Sequence, residues 1–399
     1  MTVHPDRWMR AFRAILLPDL LLRVLVGKLY RGIMFQWNLN VRGIVLLAPA
    51  LAMWLAAGLA SGAVAESSLP LSYISRTWRT DDGLPQDAVT SVVQTKDGYI
   101  WVGTYSGLAR FDGVHFQVFN GGNTPALRSG RVTSLFEDPA GTLWIGSEIG
   151  EMTACDPGRH FRAINVGPAL GRRKIIAIAL DETRDMWLVD AEGTLMRLKD
   201  GLRLTPKPGR SSTMTIAAAF PPGKIWVLRF AGASTLEQGR LVPQFANEAG
   251  ESLNYVQGIC SCRQGGIWVA SDGSLRRVKP NQTTNAYGFM PWGDLKPLIA
   301  LLETSAGMLV AGTEDRGLFI VQPGGGVLNL CRSNGLSSDW ISCLCEDREG
   351  NLWLGTGGNG LVMVRRGNVT TLDAPDHWQG RPVLSLTSGR NGMLSLSSG

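Results

Sequence analysis

Three observations predict an all-β fold, a β-propeller of four-stranded antiparallel blades. A short strand carrying Trp behind a Gly turn is written again and again, as Asp97-Gly98-Tyr99-Ile100-Trp101-Val102-Gly103-Thr104, Gly141-Thr142-Leu143-Trp144-Ile145-Gly146-Ser147 and Gly350-Asn351-Leu352-Trp353-Leu354-Gly355-Thr356. The Trp slot falls at 101, 144, 187, 226, 268, 310, 353 and 395, a period of 39–43 residues. A period near 40 with one such strand per unit marks a propeller blade. The chain of 399 residues also holds 49 Gly, 20 Pro and 13 Trp, which suits many short strands joined by tight turns.

From the N-terminus, residues 1–65 read as a leader. Residues 43–65 form an uncharged apolar run behind Arg42 that ends Ala63-Val64-Ala65. This is the pattern of a secretory signal peptide, and the run is also long enough for a membrane anchor. Pro49, Gly58 and Gly62 favour cleavage after Ala65. Residues 1–33 read as lying upstream of a natural start at Met34. The expected location is therefore outside the cytoplasm, in the periplasm, free or anchored through 43–65. Seven Lys/Arg against Asp6 and Asp19 place +5 of the formal +6 charge within residues 1–42. The remainder is nearly neutral, which argues against nucleic-acid binding.

The propeller is expected over 70–372, and its first unit shows the grammar. Ala88 to Gln94 is strand A, and Asp97-Gly98 suits a two-residue hairpin. Strand B is Tyr99 to Thr104, strand C Leu108 to Phe111, and strand D His115 to Phe119. Strand B is apolar on both faces, as a blade sandwiched between neighbours requires. Trp101, Trp144, Trp187, Trp226, Trp268 and Trp353 are the expected blade core, with Val310 in the sixth slot. Strands C and D look degenerate in unit four, from Ala231 to Arg240. Tyr73 to Trp78 stands where a strand D would stand, ready to complete a blade from the other end of the chain. Seven A–B pairs precede Arg366, so a seven-bladed ring is the first expectation and an eight-bladed ring the second. Residues 373–399 read as the start of a further repeat that breaks off in mid-blade.

The unit Asp-x-x-Gly-x-Ile-Trp-Val-Gly-Thr-x-x-Gly-Leu-x-Arg-Phe-Asp resembles the two-component regulator propeller repeat. The segment Thr77-Trp78-Arg79-Thr80-Asp81-Asp82-Gly83-Leu84-Pro85-Gln86 is similar to the opening of those sensors. The resemblance covers 73–399 and is strongest in units one, two and seven. It implies an exported, ligand-binding sensor propeller, normally followed by a membrane helix and a histidine kinase or diguanylate cyclase output domain, none of which is in this sequence. A second copy, in a dimer, is a further expected partner. Streptogramin-lyase-like proteins have similar blades, so a lyase-type propeller enzyme is the alternative, and a protein-interaction scaffold a third.

No catalytic constellation can be assembled, and no cofactor is expected. Gly355-Thr356-Gly357-Gly358-Asn359-Gly360 matches the dinucleotide pattern, but a strand follows where the fingerprint needs a helix. His4, His115, His160 and His377 have no ligand-like spacing, so no metal site is expected. Cys260 and Cys345 each stand eight residues before a slot, a core position, which favours buried free thiols over disulfides.

The D–A and B–C connections share one face. It gathers Gln86, Tyr105, Arg131, Glu148, Arg173, Tyr255, Asp339 and Trp340, the expected ligand contacts. Mixed charge with exposed aromatic rings suits a small polar ligand such as a carbohydrate. The leader makes the first prediction. N-terminal sequencing of the exported protein should begin at Glu66, and retention of the whole chain in the cytoplasm would contradict it.

Overall fold

The computed structural model describes residues 73–166, 172–204, 215–219, 224–229, 232–244, 256–271, 273–279, 282–293, 298–367, 383–388 and 394–398. The chain divides into units 1–69 and 70–399, and all described residues lie in the second. The leader, including the apolar run 43–65, lies outside them. Among the described residues no helix is long and apolar enough to cross a membrane.

Seven four-stranded antiparallel sheets form among the described residues. The first strand, β1 (Tyr73–Trp78), belongs to the last blade. Blade 1 is β2 (Val89–Gln94), β3 (Ile100–Thr104), β4 (Leu108–Phe111) and β5 (Phe116–Phe119). Blade 2 is β6 (Val132–Glu137), β7 (Leu143–Ser147), β8 (Met152–Cys155) and β9 (Phe161–Ile164). Blade 3 is β10 (Ile175–Leu180), β11 (Met186–Asp190), β12 (Leu195–Arg197) and β13 (Arg203–Leu204). Blade 4 is β14 (Thr215–Ala219), β15 (Lys224–Arg229), β16 (Gly232–Glu237) and β17 (Arg240–Pro243). Its outer strands form in full, although their sequence looked degenerate. Backbone pairing needs no particular side chains, and the ladder from Ser234 to Glu237 supplies it.

Blade 5 is β18 (Val256–Ser261), β19 (Ile267–Ser271), β20 (Ser274–Lys279) and β21 (Gln282–Phe289). Blade 6 is β22 (Leu298–Glu303), β23 (Leu309–Thr313), β24 (Leu318–Val321) and β25 (Val327–Leu330). Blade 7 is β26 (Ile341–Glu346), β27 (Leu352–Thr356) and β28 (Leu361–Arg366), with β1 outermost. Tyr73 pairs with Arg366 and Trp78 with Leu361, so the two ends of the ring close on one sheet. The innermost strands pack in order round the ring, and β26 meets β2. A separate hairpin, β29 (Val383–Ser388) and β30 (Leu394–Ser398), repeats the A–B pairing, including the register shift near the start of strand A that six of the blades share.

The slot residue of each blade packs against strand B of the next. Trp101 shares a core with Leu143 and Ile145, half-buried Trp144 with Met186 and Leu188, and Trp187 with Ile225 and Val227. Trp226 meets Ile267 and Val269, Trp268 meets Leu309 and Ala311, and Val310 meets Leu352 and Leu354. Trp353 closes the ring against Ile100 and Val102, with Trp78 stacked on it at 5.4 Å. Two residues after the slot, blades 1, 2, 6 and 7 carry a glycine that close approach requires. A Cβ on Gly355 would lie 2.7 Å from Val89, and one on Gly103 2.7 Å from Val132. The β-branched residue that opens the next strand A fills the space the missing side chain leaves.

The A–B turns fix the slot indoles of blades 1, 2, 3 and 7. Asp138, Asp181 and Asp347, six residues before the slot, accept Nε1–H of Trp144, Trp187 and Trp353 at 2.9, 2.8 and 2.8 Å. In blade 1 Thr95 Oγ1 takes that place at 3.1 Å. The turn is longer than a two-residue hairpin: Gly98 N donates to Thr95 O and Thr95 N to Tyr99 O, with Gly98 at φ 92°. This is the three-residue type I loop with a left-handed glycine, and the hydroxyl or carboxylate at its first position selects it. The next backbone N–H then reaches the following blade. Lys96 N donates to Glu137, Arg263 N to Glu303, Ser305 N to Glu346, and Arg348 N to Gln94. Between blades 2 and 3 the donor position is Pro139 and the acceptor position Leu180, so both partners are lost together.

All six cysteines are free. Cys260 pairs across the sheet with Trp268 and Cys345 with Trp353. Burial pushes the Cys155 thiol up to about 11, so it stays protonated.

Two predictions follow from this core. Trp353→Ala removes a ring 5% exposed and should cost about 3–5 kcal/mol in a urea melt; a melt matching the parent would contradict the blade register. Burial alone would raise the Asp181 carboxyl. Hydrogen bonds from the Thr183 hydroxyl, Trp187 Nε1 and the Asp185 and Thr183 N–H groups outweigh it and hold the pKa below its ordinary value. The advantage of the parent over Asp181→Asn should be complete above about pH 4 and disappear as pH falls through the depressed folded value. A difference that stays constant down to acid pH would contradict this.

Candidate functional site

The D–A and B–C connections build one mouth of the ring, and backbone hydrogen bonds set it. In blades 2, 3 and 7 the residue just before strand A, here the lead-in residue, accepts from the B–C turn of its own blade. Glu148 N donates to Arg131 O at 2.9 Å, Ala191 N to Lys174 O at 2.9 Å, and Gly357 N to Trp340 O at 3.2 Å. The residue before it accepts from the preceding blade: Gly360 N donates to Asp87 O and Gly317 N to Asp339 O, both at 2.8 Å. Each lead-in side chain is thus held at a fixed place round the mouth. Their order across blades 7, 1, 2 and 3 is Trp340, Ala88, Arg131, Lys174.

Two of the D–A loops share one local design, built on Arg79–Asp87 and Cys331–Asp339. Each opens with a 3-10 turn, over Thr80–Asp82 and Arg332–Asn334, capped when Asp82 accepts Arg79 N and Asn334 accepts Cys331 N. Leu84 and Leu336 anchor the loops in the core at 3% and 7% exposure. Asp87 Oδ1 accepts Thr80 N and Asp339 Oδ1 accepts Arg332 N, both at 2.8 Å. The Asp339 carboxylate, expected as a ligand contact, therefore has one oxygen bound to its own loop.

The structure brings several of the expected residues together. The Arg131 guanidinium lies over the Tyr105 ring at 5.2 Å and is ion-paired with Glu148. The Lys174 ammonium reaches the same ring at 5.8 Å. Arg173 turns away to Asp190 at 3.2 Å and Glu192 at 2.9 Å. Sequence reasoning chose Arg173 from the Arg172-Arg173-Lys174 run, yet Lys174 is the residue on Tyr105. Its equivalence to Arg131, one residue before strand A, was the usable signal. Trp340 is 48% exposed, and one side of its ring lies on Gly357, where an added Cβ would fall 2.2 Å from a ring atom. Gln86 carries a buried Oε1 without a partner among the described residues, as does Glu151 Oε2 in the B–C turn beside Glu148. Tyr255 lies outside the described residues.

The opposite face carries the A–B and C–D turns. A cavity of about 270 Å³ lies there between blades 1 and 2, with Trp101, Leu143 and Cys155 in its wall and Lys96, Asp97 and Arg159 among its polar groups. His115 and His160 sit on C–D turns beside Asp112 and Asp156 at 4.0 and 3.2 Å. Among the described residues no three His, Cys, Asp or Glu side chains stand together as a metal cluster.

Comparison with known proteins follows the same lines. The family model described as two component regulator propeller matches residues 83–106, 126–148 and 335–358. These segments span strands A and B of blades 1, 2 and 7. No curated protein sequence matches. Among solved structures, the chain is similar to the extracellular domain of BT3049 from B. thetaiotaomicron, assigned as a hybrid two component system. That likeness is 18% identity over 82% of this chain and 47% of that one, with a TM-score of 0.60. The extracellular domain of BT4673 from the same organism, assigned as a one component system, gives 18% identity, 82% and 45% coverage and a TM-score of 0.57. Virginiamycin B lyase from Staphylococcus aureus gives 10% identity, 74% and 99% coverage and a TM-score of 0.57. The chain spans less than half the length of the two B. thetaiotaomicron domains. At these identities the likeness is one of fold.

The support beneath Trp340 is directly testable. Gly357→Ala places a methyl where the indole lies, so Trp340 must move off its platform. The indole fluorescence of this variant, read against Trp340→Phe, should shift while the melting curve stays near that of the parent. An unchanged spectrum would contradict the stacked position.

Proposed function

We propose that this chain, whose blades 1, 2 and 7 carry two component regulator propeller repeats, is the exported ligand-binding sensor region of a two-component or related signalling system. The observation that carries the reading is the mouth of the ring. Trp340 is supported on one face by Gly357 and open on the other, at a lead-in position round the channel. A flat, rigid, half-exposed indole is a stacking platform for the apolar face of a sugar ring, and Arg131, Glu148 and Gln86 offer hydrogen bonds to its hydroxyls. Export is supported by the leader and by the extracellular domains the fold resembles. The partner that this reading implies is a kinase or cyclase output domain that such a sensor would drive.

The lyase reading rests on blade likeness alone, at 10–12% identity. A turnover assay beside binding calorimetry separates the two.

The binding test uses the exported chain from Glu66 onward and a panel of neutral and acidic mono- and oligosaccharides. Both substituted side chains are about half exposed, and exposed positions usually change stability by within about 0.5 kcal/mol. A Trp340→Ala, Arg131→Ala double variant should therefore melt like the parent and lose the calorimetric response. Saturable binding of unchanged affinity would move the site away from this mouth.

A further inference from the structure

We infer that the ligand recognised at this mouth is acidic, with a carboxylate, sulfate or phosphate seated on Lys174 and Arg131 above Tyr105. The inference rests on the sensor reading and specifies its ligand class. Two cations from different blades converge on one aromatic ring, Arg131 at 5.2 Å and Lys174 at 5.8 Å. The charged groups on the lead-in segments and at the B–C turns of blades 2 and 3, besides Arg131 and Lys174, are Glu148, Glu151, Arg172, Arg173, Asp190 and Glu192, and the Glu151 carboxylate has one oxygen buried. Of these, Glu148 binds Arg131, while Asp190 and Glu192 are taken by Arg173. No carboxylate pairs with Lys174 among the described residues, so the Tyr105 cluster of two cations and one anion keeps an excess positive charge.

Each cation is attracted to the Tyr105 ring, whose electron-rich faces favour a positive charge within about 6 Å of the centroid. Glu148 already shows that a carboxylate fits the Arg131 guanidinium. A ligand anion between Lys174 and Arg131 would relieve the excess charge with charge-assisted hydrogen bonds. Trp340 lies two lead-in positions away, across the small side chain of Ala88, so one pyranose on the indole and an acidic group on the cations would belong to one saccharide. The cluster is partly exposed, so its attraction must weaken as salt shortens the Debye length from about 10 Å at 0.1 M.

The test measures binding of D-glucuronate, glucose 6-sulfate, glucose 6-phosphate and D-glucose to the exported chain by titration NMR at low and high salt. At least one acidic probe should bind about tenfold or more tighter than glucose, the strength expected of a charge-assisted contact. The advantage should shrink with salt, vanish in Lys174→Gln and return in Lys174→Arg. The rank among the three acids identifies the anionic group. Equal affinity for glucose, or acid binding unchanged in Lys174→Gln, overturns the inference. If neutral oligosaccharides still bind and Trp340→Ala abolishes that binding, the sensor reading survives the loss. If no acidic probe binds, the inference fails; if no saccharide of the wider panel binds either, both fail.

Discussion

Every blade is held by a side chain that belongs to the blade before it. The slot residue of one sheet, an indole in every blade but the sixth, lies on two strand B side chains of the next, and the indole Nε1–H is tied back to its own A–B turn in blades 1, 2, 3 and 7. Such a contact buries a large apolar ring at roughly 25 cal/mol per Å² without leaving its one polar atom unpaired. The arrangement has no natural end, since each sheet needs a successor. Closure supplies it: Trp353 of blade 7 meets Ile100 and Val102 of blade 1, and β1 completes blade 7 from the other end of the chain.

The candidate site is a consequence of that packing. In blades 1, 2, 3 and 7 strand A is seated by a glycine of the preceding blade, so the residue just before it is delivered to a fixed point on the rim. The carbonyls of Arg131, Lys174 and Trp340 are then pinned by the B–C turns. What varies between blades is only the side chain presented there. A rigid ring with a variable rim places Trp, Ala, Arg and Lys side by side without altering the core, which suits recognition.

Much of the ring was legible in the sequence because its signals are local or periodic. The slot spacing, the strand B pattern and the strand D position of Tyr73–Trp78 all predict what the structure holds. Other features were written but needed the neighbouring blade to be understood. The Asp six residues before Trp144, Trp187 and Trp353 is a visible spacing, yet its meaning as an indole acceptor depends on the turn's fold. The glycine two residues after the slot reads only as a strand B residue, and the structure makes it a seat for Val89 or Val132. At the mouth, residue type alone could not tell Arg173 from Lys174, because one residue along a lead-in segment decides between a carboxylate pair and the Tyr105 ring. Nor could it show that one oxygen of Asp339 serves Arg332 N.

The central claim is that the D–A and B–C mouth, and not the turn face with its cavity of about 270 Å³, receives the ligand. A crystal structure of the exported chain soaked with a galacturonate tetrasaccharide tests this most directly. The account predicts a pyranose ring on the open face of Trp340 and a carboxylate within hydrogen-bonding distance of Lys174 Nζ or the Arg131 guanidinium. Saccharide density confined to the cleft beside Lys96, Asp97 and Arg159, with the Trp340 face bare, would contradict it.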